Sequence, residues 1–182
     1  MYSCINGKCL NMVDSMKPTW VWGTVNPCGE NNDANTLYLT QSEISDLVDN
    51  NKLCNLPVKV EHSGDSIGRV VCAWKSQQGL DVLAEINSSL PGAIASSYVR
   101  TKRLQDFSLG YNVSVQYSEQ AGTYRPSRKS FTEVSLVRNG ARKSCHVHAI
   151  SVEDDVKMKT KVQECLRSNK LDALLQVFSS TG

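Results

Sequence analysis

A chain of 182 residues can bury a core as a single domain without metal or disulfide support. Twenty Lys and Arg stand against eighteen Asp and Glu, and a formal net charge of +2 is not the concentrated basic surface that nucleic-acid binding needs. No apolar run approaches the roughly 20 residues of a membrane-spanning helix, and the N-terminus lacks the basic-then-apolar order of a signal peptide. The expectation is a soluble intracellular protein with neither nucleic acid nor membrane as a partner.

Residues 1–18 carry no clear period and read as a loose leader to one domain over 19–182. The β-branched and aromatic run Thr19–Val25 predicts a first strand, closed by Asn26-Pro27, with a polar loop to Asn35. Thr40-Gln41-Ser42-Glu43 is a capping box, and Ile44, Leu47 and Val48 follow on one helical face until Asn50-Asn51. Leu56 to Glu61 then reads as a strand that delivers His62, followed by a Gly/Asp/Ser turn and a second strand leaving by Ile67-Gly68-Arg69. Ile67–Trp74 and Leu80–Ile86 form a predicted antiparallel pair, the second with one buried face on Leu80, Val82, Ala84 and Ile86.

Ser88 to Gly92 opens a helix with Pro91 in its first turn, running on to Leu104. Strands return over Phe107–Tyr117, Phe131–Arg138 and Cys145–Val152, with a loop from Ser118 to Lys129. The tail reads as helical, with a capping box at Ser151 and Asp154 and an amphipathic stretch on Leu171, Leu174, Leu175 and Phe178. The basic clusters at Arg100 to Arg103 and Arg125 to Lys129 read as solvated surface. Seven cysteines, at 4, 9, 28, 54, 72, 145 and 165, are an odd and scattered count that fits free thiols in a reducing compartment.

Three of these strands hold groups that acyl transfer needs. A serine hydroxyl becomes a nucleophile when a neutral imidazole takes its proton, and a third polar group holds that imidazole in the right tautomer. His62, of three histidines, sits where a strand meets a polar turn. Ser108 lies between Phe107 and Leu109, so its side chain points away from theirs, and Gly110 leaves room for a backbone to approach. Glu133 alternates along its strand with Phe131, Ser135 and Val137, and an inward-pointing acid there requires a partner. His146 and His148, on the next strand, are rivals for the third place. A metal site from Cys145, His146 and His148 lacks a further ligand, so no metal or other cofactor is expected.

Leu56-Pro57-Val58-Lys59-Val60-Glu61-His62 followed by Ile67-Gly68-Arg69-Val70 resembles the histidine segment of assemblin, the herpesvirus capsid maturation protease. Phe107-Ser108-Leu109-Gly110-Tyr111 resembles its serine segment, with a Gly-Tyr ending nearer to the related prohead proteases of tailed phages. Phe131-Thr132-Glu133-Val134-Ser135-Leu136-Val137 looks like the phage version of the third segment.

The resemblance spans roughly residues 20–152. It implies an α+β fold: a mostly antiparallel, closed β-barrel of about seven strands surrounded by helices. It further implies a serine endopeptidase with Ser108 as nucleophile, His62 as general base and Glu133 in place of assemblin's second histidine. By offset from Glu133, the Ala141 N–H and the Arg142 side chain would be the oxyanion donors. The implied substrates are the capsid scaffold protein and the chain itself, and the implied state is a homodimer. Such a protein would work in the host nucleus if of herpesvirus origin and otherwise in the host cytoplasm. Two other readings stay open: a catalytically silent scaffold or assembly module with the same fold, and a small β-rich binding domain without chemistry.

Overall fold

The computed structural model describes residues 19–27 and 39–150, together with the backbone of two short strands, β1 (Cys4–Ile5) and β2 (Lys8–Cys9), which pair antiparallel. The main sheet starts with β3 (Thr19–Pro27), which carries Asn26 and Pro27 inside the strand rather than after it. Helix α1 (Gln41–Asp49) begins where the capping box predicts: the Glu43 N–H donates to Thr40 Oγ1 at 3.2 Å and the Thr40 N–H to Glu43 Oε2 at 2.7 Å. Two of the four orphan donors of the first turn are thereby satisfied. Ile44 and Leu47 anchor the helix in the core.

Strand β4 (Pro57–Val60) ends earlier than the sequence suggests. The turn is Glu61-His62 itself, with φ of 48° and 56°, and Ser63 already opens β5 (Ser63–Lys75) opposite Val60. A two-residue turn with both central residues at positive φ matches the twist of the flanking strands, which is why hairpins use it. The residues Gly64, Asp65 and Ser66, expected as the turn, are strand.

β5 pairs with β6 (Gly79–Ile86), which is buried on both faces rather than one. Leu80, Val82, Ala84 and Ile86 enter the main core, while Leu83 joins Val71 and Cys72 in a second cluster beneath Trp20, Trp22 and Trp74. Helix α2 (Leu90–Arg100) is capped by Ser89, whose Oγ accepts the Gly92 N–H at 3.2 Å, and it stops short of Leu104. β7 (Asp106–Ser118) and β8 (Thr123–Val137) form a long hairpin, so the predicted loop over Ser118 to Lys129 is largely strand. β9 (Val147–Ile150) closes the described chain; the predicted tail helices lie outside the described residues.

The strand order is β7-β8-β4-β5-β6-β3-β9. The expectation of a mostly antiparallel, closed barrel surrounded by helices is not met. The sheet is mixed, because β4 runs parallel to β8, Val58 facing Val134 and Val60 facing Leu136. It is also open: its edge strands β7 and β9 do not form a ladder, and the chain just before β9 meets β7 only at the single bridge Asp106/His146. Closure needs tilt and stagger to agree around every strand, and a four-residue β9 cannot match a thirteen-residue β7. Among the described residues there are two helices, and both pack into one core with the inner face of β3 to β8 through Ile44, Leu47, Ala95 and Val99. None of the described helices is long and apolar enough to cross a membrane.

Candidate active site

The outer face of β8 carries the polar residues that its inner face excludes. Val134 and Leu136 are fully buried in the core, so Glu133 and Ser135 point to the other side, as the two-residue period of a strand requires. Ser108 on β7 stands directly opposite Ser135, and Gly110 stands opposite Glu133. Cross-strand partners share a face. Ser108, Ser135 and Glu133 therefore lie on one surface, with Lys59 of β4 completing the row beside Ser135.

The Glu61-His62 turn brings the imidazole over this row. His62 Nδ1 is 2.6 Å from Glu133 Oε1, and the same oxygen accepts the Ser135 hydroxyl at 3.1 Å. Ser135 Oγ accepts the His62 main-chain N–H at 3.3 Å. Lys59 Nζ stands 3.7 Å from the other carboxylate oxygen. A carboxylate only accepts, so Nδ1 carries the proton and neutral His62 presents Nε2 as its free base. The carboxylate is almost closed to solvent while the imidazole is nearly half exposed, a buried acid orienting an accessible base.

Gly110 makes this possible. A Cβ there would stand 2.6 Å from Glu133 Cγ and 3.0 Å from Oε1, so any side chain would push the acid off the histidine. The turn is pinned from below: the Glu61 N–H donates to the Leu136 carbonyl at 3.0 Å, and the Arg138 N–H donates to Glu61 Oε1 at 3.0 Å.

The structure thus joins His62 to Glu133 and places Ser108 on the same face, but no hydrogen bond joins Ser108 to His62. The segment with the expected oxyanion donors follows β8 and is tied to the start of β7, since the Gly140 N–H donates to Asp106 Oδ2 at 2.8 Å. Ala141 is exposed there; Arg142 is buried, and its Nη2 donates to the Tyr111 hydroxyl at 3.3 Å. The rival histidines are engaged elsewhere. His146 Nδ1 is 2.6 Å from Asp106 Oδ1, and His148 Nε2 is 2.7 Å from Thr24 Oγ1, which itself donates to the buried Asp81 at 2.8 Å. In the sequence Ser135 shows only as a member of the alternation with Phe131, Glu133 and Val137. Its position two residues from Glu133 on a strand was the signal that could have placed it on the acid's face.

No protein-family model matches the sequence, and neither does any curated protein. Solved structures do. The protease of Kaposi's sarcoma-associated herpesvirus in complex with a hexapeptide phosphonate inhibitor aligns over 90% of this chain and 77% of its own, at 17% identity and a TM-score of 0.56. The same viral protease in complex with a dimer disruptor aligns over 90% and 91%, at 19% identity and a TM-score of 0.51. In complex with an allosteric inhibitor it aligns over 88% and 91%, at 21% identity and 0.51.

The chain has the fold of the herpesvirus proteases. The assemblin half of the sequence resemblance is thus supported at the level of fold, although the sheet of this chain is open and mixed. The phage half draws no support from these comparisons.

Proposed function

We propose that this chain is a serine endopeptidase. The observation that carries the reading is the His62–Glu133 pair, held over a strand face that also bears Ser108, within a fold shared with viral proteases. Ser108 Oγ attacks the scissile carbonyl while His62 Nε2 takes its proton; Glu133 keeps the proton on Nδ1 and stabilises the imidazolium that forms. The imidazolium then returns its proton to the leaving amine, and a water repeats the sequence to release the acyl group. The Ala141 N–H and the Arg142 guanidinium are the proposed donors to the oxyanion. Catalytic hydrogen bonds are often long or open in ligand-free enzymes, and the Ser108–His62 bond forms when substrate is seated.

The proposed substrates are a capsid scaffold protein and the chain's own flanking sequence, and the proposed working state is a homodimer. The test is expression of the wild type and Ser108→Ala, each with an appended scaffold segment, followed by intact mass and by exposure to a peptide phosphonate. Trimming and phosphonylation of the wild type alone support the reading; an unchanged, unlabelled wild type sinks it. A second reading, a silent assembly module, is favoured by the missing Ser108–His62 hydrogen bond, and that latter outcome would bring it forward.

A further inference from the structure

Ser135 forms no bond to substrate in the acyl transfer above, yet it touches both acid–base partners. A hydroxyl has one proton and two lone pairs. Here the proton goes to Glu133 Oε1 at 3.1 Å and a lone pair receives the His62 main-chain N–H at 3.3 Å. The residue is fully buried in β8, between Ser108 of β7 and Lys59 of β4. It joins, in a single contact set, the carboxylate to the turn that carries the base.

That turn needs fixing. Glu61 and His62 both stand in the left-handed region, which is uncommon for residues other than Gly and, among those, is entered more readily by Asn, Asp and His than by Glu; such a pair of positive-φ residues persists only where its surroundings over-determine it. The acid needs fixing too. Lys59 Nζ lies 3.7 Å from Oε2 and competes for the carboxylate, whereas the Ser135 proton and the imidazole both select Oε1. The other charges around the imidazole are Glu61 in the same turn and Arg138 at the end of β8, bonded to each other.

We propose that Ser135 is a positioning residue of this site, its hydroxyl holding Glu133 Oε1 and the His62 main chain in one geometry and so orienting the imidazole. The kinetic consequence rests on the serine-peptidase reading; the orientation itself does not. An oxygen that accepts two hydrogen bonds divides its charge between them. Without the Ser135 proton, Glu133 Oε1 concentrates on the Nδ1 proton and favours the imidazolium, while the loss of the N–H contact loosens the turn.

The experiment follows the His62 ring by NMR through a pH titration in the wild type, Ser135→Ala and Ser135→Thr, with His62→Gln to assign the signal. The same proteins are assayed for peptide cleavage. Ser135→Ala should move the His62 midpoint to higher pH by about fivefold in proton affinity, the scale of one hydrogen bond, and should lower kcat with KM held. Ser135→Thr, which keeps the hydroxyl, should return both. A folded Ser135→Ala with an unmoved midpoint overturns the proposal, as does a drop in melting temperature with midpoint and kcat unchanged. A wild type without peptidase activity removes the serine-peptidase reading, while the titration still decides the role of Ser135.

Discussion

Glu133 is a carboxylate with little access to water, and each of its oxygens has a cationic or proton-donating neighbour: His62 and Ser135 on Oε1, Lys59 beside Oε2. A buried acid in that setting is worth more as an orienting group than as a contributor to stability, since taking it out of water offsets much of the attraction. Glu133→Gln tests which role it has. The amide keeps the size but can present its NH2 to His62 Nδ1, favouring the wrong tautomer, and catalysis by a positioned base contributes about 10²–10⁴-fold. The expected outcome is a fall in kcat of about 10³-fold, with a melting temperature close to wild type; full activity in Glu133→Gln would remove Glu133 from the mechanism. His62, in the turn after β4, and Glu133, within β8, could be singled out in the sequence because each lies in a short segment that resembles a known one, and the structure brings the two together. Ser135 could not be singled out in this way. Its importance depends on β8 lying between β7 and β4, a matter of strand order on which alternation along one strand is silent.

Elements whose partners lie close together in the chain form as their sequences predict, whereas the connections between elements depend on contacts that local sequence does not hold. The capping box of α1 appears as predicted because all its partners lie within four residues. The sequence points to a turn after His62 because Glu-His lacks the Gly or Asn that marks a primed turn; in the structure Glu61-His62 is the turn and the Gly/Asp/Ser cluster is strand. The same capping glutamate also couples α1 to the hairpin, since Lys129 Nζ donates to Glu43 Oε1 at 2.8 Å and to Oε2 at 3.0 Å. Partial burial by itself raises the Glu43 carboxyl, but hydrogen bonds from Lys129 and from Thr40 outweigh it and leave the group below its ordinary 4.5. A carboxyl lowered in the folded state contributes stability that is present above 4.5 and is lost as the pH falls through the folded value. Because Glu43 is partly exposed, Glu43→Gln should cost about 1 kcal/mol at neutral pH, or about 3 °C in melting temperature. The gap between wild type and variant should close at a pH below the lowered folded value of Glu43, where the wild-type carboxyl is itself protonated. A gap that persists at that pH would show that the helix cap, rather than the charge on Glu43, carries the effect.

For the whole molecule, the sheet is held open on one side and pinched on the other. β3 and the start of β7 are far apart in strand order, yet the Phe107 ring and the His146 carbonyl both press against Gly23. The Thr24 N–H donates to that His146 carbonyl at 3.0 Å, the Phe107 N–H to the Cys145 carbonyl at 2.7 Å, and the Val147 N–H to the Gln105 carbonyl at 2.9 Å. These bonds gather the chain from Cys145 to Val147 between β3 and the start of β7 without making a ladder, so the closed barrel implied by the resemblance to assemblin is approached here but not formed. Strand direction was equally hidden, since a buried parallel pair such as β4 and β8 has the same apolar alternation as an antiparallel one. Gly23→Ala tests the pinch. Its Cβ would stand 2.3 Å from the His146 carbonyl oxygen and 2.8 Å from the Phe107 ring, so backbone and ring must both move. Overpacking of this kind costs about 1–3 kcal/mol, and the upper end is expected where backbone is the obstacle. In urea the midpoint should fall by about 1 M with the slope unchanged, since the slope follows the surface exposed on unfolding. An unmoved midpoint would mean that the residue 145–147 segment does not cross β3 at Gly23, and the tie that Asp106 provides between β7, His146 and Gly140 would then lose its anchor on the far side of the sheet.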